Sequence, residues 1–62
     1  MTGKELKIAR VTLDMSQIQL ADAIGITQNT ISRYETGTLP IPRLVEIAVT
    51  CLVERAEKRS ES

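Results

Sequence analysis

Histidine, phenylalanine and tryptophan are absent from this chain, and Tyr34 is its only aromatic residue. Without imidazole there is no His-containing zinc site and no histidine general base. One ring cannot build a stacking platform for single-stranded nucleic acid. The single cysteine, Cys51, forms no intramolecular disulfide, so a reducing cytoplasm is the expected compartment. Three glycines and two prolines are too few for a disordered or turn-rich strand protein. No apolar run reaches membrane-spanning length, and nothing has the layout of a signal peptide, so no membrane partner is expected. Charge of one sign is also missing: eight basic and eight acidic residues cancel, with a pI near 6.2. That balance weakens any grip on arbitrary polyanions. No metal cluster or phosphate loop is evident, and 62 residues are too few to enclose a reaction pocket. The chain therefore reads as a non-enzyme without cofactor, metal or small-molecule substrate.

What is present is aliphatic. Apolar residues make up 42% of the chain, almost wholly Leu, Ile, Val and Ala, at helical rather than alternating spacing. The expected fold is all-α, a single domain over residues 1–62. Thr2-Gly-Lys-Glu5 is a capping-box signature that starts a first helix near Gly3. Leu6, Ala9, Arg10 and Leu13 share one face of it, Ile8 and Val11 lie off that face, and Asp14-Met15 closes the segment. Ser16-Gln-Ile-Gln19 is a second capping box, opening a helix through about Ile24.

The segment from Gln17 to Thr36 reads as two short helices joined by a tight turn. Leu20, Ile24, Ile26, Ile31 and Tyr34 are spaced to face one interior, with the small Ala21 where a larger side chain would hold the second helix away. Gly25 falls where the chain reverses and a positive φ is expected. Thr27 offers a hydroxyl to cap the helix that follows, from about Gln28 to Glu35. That helix buries Ile31 and Tyr34 and turns Gln28, Asn29, Ser32 and Arg33 outward. Amides, a hydroxyl and a guanidinium on one exposed face are the groups that read base edges in a major groove. The segment therefore predicts a DNA-binding helix-turn-helix.

The charges are unevenly placed. Lys4, Lys7, Arg10, Arg33 and Arg43 lie at or before the start of a fourth helix, and Glu46, Glu54, Glu57 and Glu61 come after it. A local basic face can thus bind phosphate in a neutral chain. The linker Thr36–Pro42 is extended and stiffened by two prolines, and Pro42 suits the first turn of the next helix.

From Arg43 to about Lys58 nothing breaks a helix. Leu44, Ile47, Ala48, Cys51 and Leu52 form one stripe, expected to complete the core, with Cys51 as a small buried hydrophobe. Val45, Val49 and Val53 form a second stripe, expected to meet its own copy across a two-fold axis, with Leu39 beside it. Residues 54–62 are expected to be a frayed, charged tail.

Ser16-Gln-x-x-Leu-Ala-x-x-Ile-Gly-Ile-Thr-x-x-Thr-Ile-Ser-Arg-Tyr-Glu-x-Gly37 resembles the phage-repressor, Cro-type helix-turn-helix family, also called the xenobiotic response element family. The resemblance extends from Leu6 through Leu52. It implies a lambda-repressor-like bundle of four or five helices that binds a palindromic operator in double-stranded DNA as a homodimer and regulates transcription, most often as a repressor. It also implies that Gln17 holds a phosphate at a helix N-terminus, Gln28 reads a base, Asn29 and Arg33 contact bases or backbone, and Arg43 approaches the minor groove. Arg10 and Glu35 would form a structural ion pair joining the first helix to the end of the third. Two features depart from the family: the missing net positive charge, and the lack of a breaker after Leu52 to begin a fifth helix.

The residue chemistry is compatible with these roles. Gln28 carries a donor and an acceptor side by side, matching adenine N6 and N7. Gln17 at a helix start joins free N–H groups and a positive dipole end. Thr27, Asn29, Thr36 and Thr38 are candidate phosphate donors. Each has a plainer alternative: a solvated amide for Gln28, an ion pair with Glu35 or Asp22 for Arg33, an exposed pair of little energetic consequence for Arg10 and Glu35. Tyr34 reads as core with its hydroxyl at the edge. The rival functions are an antitoxin-like or polymerase-docking protein-binding module, and a bundle retained only for its fold. A pure protein binder needs no base-reading chemistry on the Gln28–Arg33 face.

Overall fold

Each helix boundary is set by residues within a few positions of it. In the computed structural model, which describes residues 1–61 (residues 59–61 by backbone alone), four α-helices are present: α1 (Gly3–Thr12), α2 (Gln17–Ile24), α3 (Gln28–Thr36) and α4 (Arg43–Glu61). Thr2 and Ser16 cap α1 and α2 with complete capping boxes, each hydroxyl accepting from the N3 backbone while the Glu5 or Gln19 side chain accepts from the cap's own N–H. Thr27 caps α3 by accepting from the Thr30 backbone. The first three helices end in a left-handed residue, Asp14 (φ 57°), Gly25 (φ 79°) and Gly37 (φ 82°). In each case the following N–H reaches five residues back, Met15 to Arg10, Ile26 to Ala21 and Thr38 to Arg33, which satisfies carbonyls the helix leaves open.

The core is small and aliphatic. Leu6, Leu20, Ala21, Ile31, Tyr34 and Val49 are buried, with Met1, Ala9, Met15, Ile24, Ile26, Ile41, Val45 and Leu52 packed around them. Full burial of one such side chain contributes about 1.5–3 kcal/mol, so Leu6, Leu20, Ile31 and Val49 are the main apolar anchors. Packing brings α2 against α3, and α1 against both α3 and α4.

One close approach fixes the α1–α3 crossing. A Cβ on Gly3 would lie 2.4 Å from the Tyr34 carbonyl oxygen and 2.7 Å from that of Glu35. The start of α1 thus touches the end of α3 backbone to backbone, where any side chain would act as a wedge.

Helix α4 departs from expectation in its rotation. Val49 is fully buried (0% exposed) and Val45 packs against the core, so neither is free to meet a second copy as the dimer stripe required. Leu44 (80% exposed), Ile47 (53%) and Cys51, expected inside, face outward instead. Of that stripe Leu52 packs against the core, and Ala48 is half-buried. Eight apolar residues between Leu44 and Val53 cover most of the helix circumference, so periodicity alone offers two faces. The docking of α4 on α1 and α2 selects the one bearing Val45, Val49 and Leu52. The helix also continues to Glu61, across the stretch expected to fray, and Ser62 lies outside the described residues. Leu39 is exposed in the linker.

Candidate nucleic-acid interface

Helix α3 is presented by the turn that precedes it. Only Gly25, Ile26 and Thr27 separate it from α2, and Ile26 packs inward while Gly25 supplies the positive φ. Burial of Ile31 and Tyr34 rolls the opposite face out, leaving Gln28, Asn29 and Arg33 exposed and Ser32 half-buried beside them. Among the described residues Arg33 makes no ion pair with Glu35 or Asp22, so its guanidinium is free for another partner.

Behind this face runs a polar chain that ties four helix segments together. Arg10 grips Glu35 with two bonds, Nε to Oε2 at 2.7 Å and an NH2-group nitrogen to Oε1 at 3.2 Å, and donates a third to the Met15 carbonyl at 2.9 Å. The two side chains are only 14% and 6% exposed. Glu35 Oε1 also accepts from Gln17 Nε2 at 3.3 Å, and Gln17 Oε1 accepts from Gln28 Nε2 at 3.3 Å. The order of donors is forced. A carboxylate only accepts, so Gln17 must present its nitrogen to Glu35, which leaves its oxygen to receive Gln28's nitrogen. Gln28 keeps its carbonyl and one N–H unused, the donor–acceptor pair that matches adenine.

Gln17, the first residue of α2, lies at the helix end where N–H groups remain open, and its second amide N–H is uncommitted. The threonines are more occupied than their exposure indicates. Thr27 shares a bond with Thr30, while Thr36 donates to the Arg33 carbonyl and shares a bond with Thr38. A phosphate at these positions would have to replace an internal bond. Arg43 is exposed at the start of α4, with no ion pair among the described residues.

Arg10 is spent inside the fold, so the exposed basic side chains of the N-terminal part are Lys4, Lys7, Arg33 and Arg43. Lys4 and Lys7 lie on α1 beside the exposed Ile8 and Val11. The Gln17–Glu35 link was not evident in the sequence, since a bond across 18 residues leaves no local signal.

A helix pair held at a tight turn, with polar side chains outward on the second helix, is the arrangement of a helix-turn-helix domain of the DNA-binding, transcription-regulator class. The chain belongs to the Helix-turn-helix family, which its residues 6–57 match. It is also 47% identical over 38 residues to Antitoxin PezA of Streptococcus pneumoniae serotype 4, an overlap of 61% of this chain and 24% of the relative's length. No solved structure matches the chain. No helix among the described residues is long and apolar enough to cross a membrane.

Proposed function

We propose that the chain is a sequence-specific repressor that binds a palindromic operator in double-stranded DNA as a homodimer in the cytoplasm. Gln28, Asn29, Ser32 and Arg33 read base edges in the major groove. The N-terminus of α2 with Gln17, together with Thr27, Thr36, Thr38 and Arg43, lies along the backbone. Arg10 and Glu35 hold the reading helix. The observation that carries this reading is Gln28: exposed at the start of α3, oriented by Gln17, and left with one donor and one acceptor.

The neutral chain adds a quantitative expectation. Few cations face the backbone, so affinity for arbitrary duplex is low and discrimination rests on base contacts. Selection of sites from random duplex DNA with the purified chain tests the proposal. An enriched palindrome with half-sites about one helical turn apart supports it. A pool that stays random through repeated rounds sinks it.

A second reading is favoured by one finding, the relative named an antitoxin. Under it the chain would also meet a protein partner. The face available is not the buried Val49 stripe but the outward one bearing Leu44 and Ile47.

A further inference from the structure

The outward face of α4 carries a shallow groove lined by Arg43, Glu46, Ile47, Thr50, Cys51 and Glu54. Arg43, Ile47, Thr50 and Glu54 recur at helical spacing along one stripe, with the strongly exposed Leu44 at its flank. The charges at its two ends are opposite. Arg43 and Glu54 lie eleven residues apart, about 16 Å along the axis, and neither has an ion-pair partner among the described residues. Glu46, nearer the middle, is already countered by the amino group of Met1 at 3.5 Å.

We infer that this groove receives the same groove of a second copy, the two α4 helices packing antiparallel across a two-fold axis that passes between Ala48 and Val49. That axis exchanges Arg43 with Glu54, Glu46 with Cys51 and Ile47 with Thr50, so all six lining residues map onto one another. Each Arg43 then meets the partner's Glu54, twice per dimer, and the exposed apolar surface of Ile47 and Cys51 is covered. A parallel pairing would set arginine on arginine and glutamate on glutamate, so charge selects the antiparallel one. An interface isologous in this way closes on itself and stops at two. Arg43 carries five donors, enough for a carboxylate and a phosphate together.

The contact is one helix face, smaller than the roughly 1,600 Å² total of a standard interface. Association of the free protein is therefore weak. The inference rests on the two-copy part of the proposed function but not on DNA binding, and it is tested without DNA.

Sedimentation equilibrium over a range of concentrations should show a monomer–dimer equilibrium. Ile47→Asp should raise the dissociation constant by about tenfold or more, and circular dichroism should find it as helical as the parent, because Ile47 lies outside the core. Glu54→Arg should weaken the dimer, and Arg43→Glu with Glu54→Arg in one chain should restore it. In a Cys51→Ser background, a copy carrying Arg43→Cys mixed with a copy carrying Glu54→Cys should cross-link to each other in preference to themselves. A protein that stays monomeric throughout overturns the inference, as does association indifferent to Ile47→Asp. Preferential cross-linking of each cysteine variant with itself would replace the antiparallel pairing by a parallel one. A dimer that obeys all four expectations yet selects no DNA site would refute the repressor and leave the interface standing.

Discussion

Replacing Glu35 with Ala tests the polar chain behind the outward face of α3. It removes both bonds from Arg10 and the acceptor that orients Gln17, and leaves a guanidinium, 14% exposed, with only the Met15 carbonyl. Breaking a buried pair by deleting one partner costs about 3–5 kcal/mol. A domain of 62 residues has a total stability of roughly 3–9 kcal/mol on the usual per-residue scale. The loss is thus comparable with everything that holds the chain folded, and Glu35→Ala should be largely unfolded or close to it at room temperature. Urea titration followed by far-ultraviolet circular dichroism measures the change, with a stabilising osmolyte added to recover a folded baseline. Arg10→Met combined with Glu35→Leu should recover most of the stability, because the penalty comes from the orphaned charge more than from the lost attraction. A loss within about 0.5 kcal/mol for Glu35→Ala would refute the reasoning, since surface substitutions give that much.

Four further outcomes are expected. Gln28→Ala should cost about 1–3 kcal/mol at the best selected site and relax preference at one base position, and an unchanged selected motif would remove Gln28 from the reading set. Gly3→Ala should destabilise the fold although alanine favours helix by about 1 kcal/mol, because the new Cβ meets the Tyr34 and Glu35 carbonyls; a raised melting temperature would contradict the close approach. Val49→Ala should cost about 2 kcal/mol and Leu44→Ala less than about 0.5 kcal/mol, the reverse of what the sequence-based stripes imply, and denaturant midpoints decide between them. Glu5 has its pKa lowered, chiefly by the Thr2 backbone N–H, then by the Thr2 hydroxyl and the nearby terminal amine. A depressed carboxyl stabilises the fold above its unfolded pKa and loses that contribution as pH falls through the folded value. NMR titration should find Glu5 below the ordinary glutamate range and closer to it in Thr2→Ala.

Which features were legible in the sequence follows the range of the interactions involved. Thr2, Ser16, Gly25 and Thr27 announce helix ends because each cap is closed within three or four residues of itself. The outward Gln28, Asn29 and Arg33 follow from the burial of Ile31 and Tyr34 on the same short helix. The rotation of helix α4 is not legible in this way, because it is set by neighbours distant in sequence and by the linker through Pro40 and Pro42. Val49 and Ile47 are both β-branched and apolar, and no local rule separates the one in the core from the one outside it. The Gln17 bridge was hidden for the same reason, since it joins side chains that only the completed fold brings together. Gly3 gave no turn signal, and its need to be small appears only where α1 meets α3.

The chain from Arg10 through Glu35 and Gln17 to Gln28 also bears on how such a domain could change over generations. Its inner end is part-buried and doubly bonded; its outer end is exposed and held by one long bond. Substitution at the outer end costs little stability, and it frees the Gln17 oxygen to accept a bond in Gln28's place. Mutational drift at residue 28 is therefore nearly neutral for folding while altering the chemistry offered to a duplex. Drift at residue 35 is lethal to the fold before it can alter specificity. Gln17 stands between the two as an insulator, so the chemistry of the outward face can change one substitution at a time without the scaffold being reinvented.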